Sequence, residues 1–184
     1  MAAYAANSPD AGCARIHRPS RCAISRQGGE MSKMTKTSYP TPEAAALGGF
    51  RRILLSHSRW TDVEFGFLVL EVERDVVGQL GHREKRYHYT EPETDNTKDA
   101  IEVRVPVYWL PFLRAFCHTH PTNGGFSSHD FEQFKKLKRV IKDKKLKQEV
   151  VFYLMSVNQQ VRQSSTEQGF MPGTDVEGLG KATP

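Results

Sequence analysis

The chain predicts one α/β domain in which a mixed β-sheet is flanked by helices. Three observations carry this reading. Two segments, from Pro42 and from Ser128, repeat apolar residues at helical spacing. Runs of β-branched and aromatic residues lie between and after them. Polar, turn-forming stretches separate one run from the next. An apolar fraction of 38% with 10% aromatics, over 184 residues, is enough for a core and excludes wholesale disorder. The domain is placed at residues 41–168, between a disordered N-terminal tail (1–40) and a flexible C-terminal tail (169–184).

Residues 1–40 are rich in Ala, Ser, Arg and Gly without usable periodicity. Structure is expected from Thr41, which can cap a helix entered by Pro42 and Glu43. Ala44, Leu47, Ile53 and Leu54 give that helix its apolar face. "DVEFGFLVLEVERD" (62–75) reads as a strand that turns near Gly78–Gly81 and returns through "KRYHYTEP". Ile101, Val103 and Val105 alternate, but Pro106 and Pro111 argue against a long central strand there. "LRAFCHTH" (113–120) is a short strand ending at two histidines. From Ser128 to about Lys147, Phe131, Phe134, Leu137 and Ile141 mark a helix with lysines elsewhere. "EVVFYLMSV" is a buried strand, "NQQ" a turn, and "VRQS" the start of a return.

Net charge is +5, concentrated in the first thirty residues and in "KKLKRVIKDKKLK". Such a helix can attract nucleic acid or an acidic partner. A solvated helix face accounts for it more simply, and nucleic acid is not expected as a partner. Three cysteines, without a CxxC pair, make neither a disulfide framework nor a zinc ribbon. A cytoplasmic setting is expected, and no apolar run is long enough to span a membrane.

The stretch "AFCHTHPTNGGFSSHDF" carries the chemistry. In an extended chain, His118 and His120 face the same side. Two neutral imidazoles make half of a zinc site, and catalytic zinc commonly takes three protein ligands with water as the fourth. Asp130 is the natural third ligand, brought back by the Gly124–Gly125 loop. Ser127-x-x-Asp130 is equally the pattern of a helix capping box. Either motif alone is better read as structural. In this order, within thirteen residues, a metal site is the better reading.

"HTHPTNGGFSSHD" resembles the signature of the JAMM (MPN+, JAB) zinc metalloproteases: H-x-H-P, a short loop, then S-x-x-D. The resemblance covers roughly residues 42–165 and is closest to short bacterial JAB-like domains, some of which occur in toxin or conflict systems and hence with specialised secretion. The loop departs from the usual pattern, with six residues between His120 and Ser127 in place of seven. The resemblance implies a JAB/MPN-like mixed sheet and a zinc ion held by His118, His120 and Asp130. It further implies Glu64, close before Gly66, as general base, with Ser127 hydrogen-bonding the oxyanion and not acting as nucleophile. The implied reaction is hydrolysis of a peptide or isopeptide amide by metal-activated water, with a polypeptide substrate such as a ubiquitin-like conjugate. The alternative within the same family is an MPN-like scaffold that binds a protein without cleaving. Glu71 and Glu73 share the strand with Glu64, and periodicity does not separate the three. His129 is read as solvent-facing and Cys117 as a small apolar group. Trp60 and Trp109 are read as structural. His57, His82 and His88 have no ligand spacing. Barrel phosphoesterases need more chain than the 64 residues after His120, and zinc deaminases need an H-x-E…P-C-x-x-C pattern that is missing.

Overall fold

The computed structural model describes residues 33–97, 101–170 and 178–183. Helix α1 (Pro42–Ser56) is followed by strands β1 (Gly66–Asp75), β2 (Arg83–Tyr89) and β3 (Leu113–Thr119). Helix α2 (Ser128–Asp143) then leads to β4 (Val151–Met155), β5 (Gln160–Ser164) and β6 (Gly178–Lys181). The strands form one mixed sheet in the order β2-β1-β3-β4-β5-β6. Only β3 and β4 are parallel among the described strands, so α2 is the crossover between them.

The helices lie on opposite faces. On one, Ala45, Ala46, Phe50 and Ile53 of α1 pack on Phe67, Val69, Cys117, Tyr153 and Met155. On the other, Phe134 of α2 packs with Leu68, Leu70, Phe116, Phe152 and Phe170. The strands are therefore apolar on both sides along β3 and β4, as an internal pair must be.

Thr41 caps α1, its hydroxyl accepting from the Ala44 N–H at 3.2 Å. The face expected for α1 is corrected. Ala45, Ala46, Gly48 and Gly49 are the residues turned inward, while Leu47 and Leu54 are only half-buried. Two bulky rings decide this: Tyr39 and Phe67 fill the places where a side chain on Gly48 or Gly49 would stand.

β1 begins at Gly66, four residues later than the segment read from sequence. Residues 101–106 form no strand, and Val107–Phe112 makes a 3-10 turn that buries Trp109 and Leu110. Helix α2 stops at Asp143, short of Lys147, because Lys145 takes a left-handed backbone (φ 54°) and the Leu146 N–H closes back to Ile141 O.

Parts of both expected tails are described. Residues 33–40 are tied to the sheet by bridges from Met34 to Thr90 and from Tyr39 to Tyr87. At the other end, Phe170 is buried among the rings of the second core and Gly178–Lys181 adds the strand β6. The rest of the expected N-terminal tail, 1–32, and residues 171–177 lie outside the described residues. No helix among the described residues is long and apolar enough to cross a membrane.

Candidate metal centre

The site is assembled from three elements, and sheet register accounts for the least obvious of its parts. In the antiparallel pair β1–β3, Gly66 lies opposite His118. Moving two residues outward on each strand sets Glu64 opposite His120, on the same face. The side chains meet accordingly, Glu64 Oε1 lying 3.6 Å from His120 Nε2. Thr119, between the histidines, points to the opposite face and locks this register. Its hydroxyl accepts from the Phe65 N–H (3.0 Å) and its own N–H donates to Phe65 O (2.8 Å). The Glu64 N–H donates to Thr97 O at 2.9 Å. Gly66 is required by close approach, since a Cβ there would strike Val103 and Ile101.

Glu71 and Glu73 are set apart by the same register, at the far end of β1. Glu71 receives hydrogen bonds or ion contacts from Arg114 (2.9 Å) and Lys85 (3.1 Å). Glu73 pairs with Arg83. Neither approaches the histidines.

Asp130 arrives from the first turn of α2, where the capping box is complete. Ser127 Oγ accepts from the Asp130 N–H (3.2 Å), and Asp130 Oδ2 accepts from the Ser127 N–H (2.6 Å) and hydroxyl (2.8 Å). The remaining oxygen, Oδ1, lies 3.0 Å from His118 Nε2, and Oδ2 lies 3.4 Å from His120 Nε2. The cap and the candidate ligand are thus one arrangement, since the box clamps one edge of the carboxylate beside the two rings.

Glu64, His118, His120 and Asp130 are all more than nine-tenths buried. Burial works against charging the His120 ring, but the bond to Asp130, the charges of Asp130 and Glu64 and the Gly125 backbone outweigh it and raise its pKa. Burial likewise works against the Asp130 carboxylate. The His118 charge, bonds from both rings and the Ser127 N–H nevertheless hold its pKa far below the usual range. Burial pushes the Cys117 thiol well up, so beside His118 it is an inert apolar group.

The donor set fits a divalent cation. His118, His120 and Asp130 each offer a ligand atom, all within 4.8 Å of one another. The two Nε2 atoms are 3.2 Å apart. A tetrahedral zinc with bonds of about 2.0–2.2 Å has ligand–ligand edges of about 3.3–3.6 Å. The 3.2 Å between the two Nε2 atoms, and the 3.0 and 3.4 Å from them to Asp130 Oδ1 and Oδ2 respectively, are of that order. A mixed imidazole–carboxylate set of this kind suits zinc chemically. His118 Nδ1 is buried without a partner among the described residues. Its ring is instead flanked by Phe116 and Phe126.

All five residues singled out in the sequence therefore come together. His129 is exposed and pairs with Gln133, whose amide donates to Ile101 O. The bracing role of Thr119 was not read from sequence. A threonine between two residues that share a face must point the other way, and that was the available signal. Comparison with family models, with curated proteins and with solved structures found no match to this chain, and no family membership follows from them.

Proposed function

We propose that the protein is a metal-dependent hydrolase of polypeptide amide bonds, of the JAMM kind, with zinc as its ion and a peptide or a ubiquitin-like isopeptide as substrate. One observation carries this reading: an acid two residues before β1 lies 3.6 Å from His120, beside the His118–His120–Asp130 cluster. A capped helix has no need of Glu64, whereas a hydrolytic site needs a proton acceptor there.

When bound, zinc supplies a Lewis acid that polarises a carbonyl and brings the pKa of water towards neutrality. His118, His120 and Asp130 would hold it. Glu64 takes the proton from the attacking water and returns it to the departing amine. Its carboxylate is kept in reach by Thr97 and by the Thr119 lock on Phe65. Ser127 has no nucleophile's role, because its hydroxyl donates at 2.8 Å to the Asp130 carboxylate, whose pKa is held far below the usual range and which is therefore a poor base. For Ser127 to bind an oxyanion, that hydroxyl must turn from Asp130 towards the substrate.

The commitment of Ser127 to Asp130 also favours a second reading, an MPN-like scaffold that binds a protein without cleaving it. The two separate cleanly. Purified protein should hold one zinc, and chelator should abolish cleavage of a ubiquitin-like fusion or a peptide library. Glu64→Gln should keep the zinc and lose turnover, and His118→Ala should lose both. Zinc with no cleavage of any substrate in the intact chain supports the scaffold. Zinc retained with full activity after His118→Ala refutes the site.

A further inference from the structure

The row of residues that carries His118 does not end there. Gly66 pairs with His118, His118 with Leu154, and Leu154 with Arg162, a single line across β1, β3, β4 and β5. Residues opposite one another in a ladder project to the same face. Arg162 therefore rises on the face of the metal ligands, two strands from His118, or about 10 Å by strand spacing. It flanks the site on the side away from Glu64.

Its guanidinium is seated on the loop that links His120 to Ser127. A Cβ on Gly125 would lie 2.8 Å from Arg162 Nη1, so the glycine makes room for the cation. The Gly125 backbone in turn bonds the His120 ring. The loop is pinned to the end of β4, with Ser156 Oγ donating to Gly124 O (3.0 Å) and the Val157 N–H to Thr122 O (3.1 Å). Arg162 is thus held against a fixed support.

What it lacks is an anion. The half-buried lysines and arginines among the described residues are Arg86, Arg114, Lys135 and Arg162. The first three are paired with Glu84, Glu71 and Glu132. No hydrogen bond or ion pair engages the Arg162 guanidinium among the described residues. A planar fork of donors, partly withdrawn from water and left without a carboxylate, is a receptor for one.

We propose that Arg162 is a carboxylate-binding subsite of the hydrolase, an inference that takes its substrate from the function proposed above. The carboxylate belongs to the polypeptide held at the metal, one to three residues from the reacting amide at about 3.4 Å per residue. It is either the α-carboxylate of a chain end or an acidic side chain. The site would then favour substrates that carry a negative charge on the β5 side of the scissile bond.

The test uses metal-anchored probes on the full chain loaded with zinc: mercaptoacetyl-glycine and mercaptoacetyl-diglycine, each as free acid and as carboxamide. Mercaptoacetyl-aspartamide, which carries only a side-chain carboxylate, is the third arm. At one of the two lengths the free acid should bind about tenfold or more tighter than its carboxamide. That ratio should fall to about one in Arg162→Gln at unchanged zinc content. Preference for the aspartamide over the chain-end acids assigns the subsite to acidic side chains, and the reverse assigns it to a C-terminus. A ratio of one at both lengths and no gain from the aspartamide in the wild type overturn the subsite while leaving the hydrolase intact. A metal-independent arm separates the two ideas. The Arg162 Nε–Hε resonance, identified by its loss in Arg162→Gln, should shift with acetyl-diglycine or acetyl-aspartamide, and not with acetyl-diglycinamide, in zinc-free protein. A shift there without thiol binding to the zinc form keeps the carboxylate site and refutes the hydrolase. No shift with either acid in the zinc-free protein, whichever the thiol result, counts against Arg162.

Discussion

Ser127 offers the sharpest separation of the helix cap from the proposed metal site, because it both caps α2 and bonds the Asp130 carboxylate. Ser127→Ala removes two bonds, the one that Oγ accepts from the Asp130 N–H and the one it donates to Asp130 Oδ2. The bond from the Ser127 N–H to Oδ2 survives. Loss of an N-cap costs about 1 kcal/mol, and a hydrogen bond to a charged group is worth about 1.5 kcal/mol or more. Because both meet one carboxylate they do not add fully, and a fall of about 2 kcal/mol is expected. For a domain of this size that lowers Tm by roughly 4–8 °C. Zinc affinity, read by competition with a chromophoric chelator, should fall about tenfold, as on losing a group that orients a ligand. Ser127→Gly divides the two effects. Glycine is tolerated at a cap within a few tenths of a kcal/mol, so stability should partly recover while zinc affinity stays low. A Ser127→Gly protein that binds zinc as tightly as the wild type would refute the idea that the box aims Asp130.

Two further outcomes follow from the geometry. The His120 pKa is raised in the metal-free fold, so its contribution to stability is full below about pH 6.5, the unfolded value, and is lost as pH rises through the folded value. Metal-free protein should therefore lose stability in thermal melts as pH rises above about 6.5, with zinc restoring it most at the alkaline end, and His120→Gln should flatten the metal-free slope. Phe170 is buried against Phe126, Phe131, Phe134 and Phe152, so Phe170→Ala should cost about 3–5 kcal/mol in chemical unfolding. A loss below 1 kcal/mol would show that the segment after β5 lies outside the core.

The outline of the fold could be read from the chain because each buried element advertises its period. "FLVL" and "VFYLM" lie in the interior of the sheet and are apolar without a break, and α2 keeps Phe134 at the centre of its stripe. The candidate cluster was legible too, since His118, His120 and Asp130 fall within thirteen residues and lie together in the structure. Glu64 was a different case. Its place beside His120 depends on pairing Gly66 with His118, a contact across 52 positions that no local pattern encodes, and periodicity alone does not separate it from Glu71, which Arg114 and Lys85 hold elsewhere. The places of some residues in the expected tails were hidden for a related reason. Tyr39, Phe170 and Leu179 are isolated apolar residues in polar surroundings, and only the sheet edges and second-layer rings they meet give them a place. The inward turn of Gly48 and Gly49 was hidden likewise, because it answers to rings on distant segments.

The one parallel pairing among the described strands forces the chain to leave the sheet after His120 and come back through a helix. A cation shared by His118 and Asp130 would stitch the start of that detour to its departure point, closing a ring of thirteen residues much as a short disulfide does. The detour could then not open while the ion stayed bound. Catalysis and the retention of α2 on the sheet would be governed by the same dissociation constant.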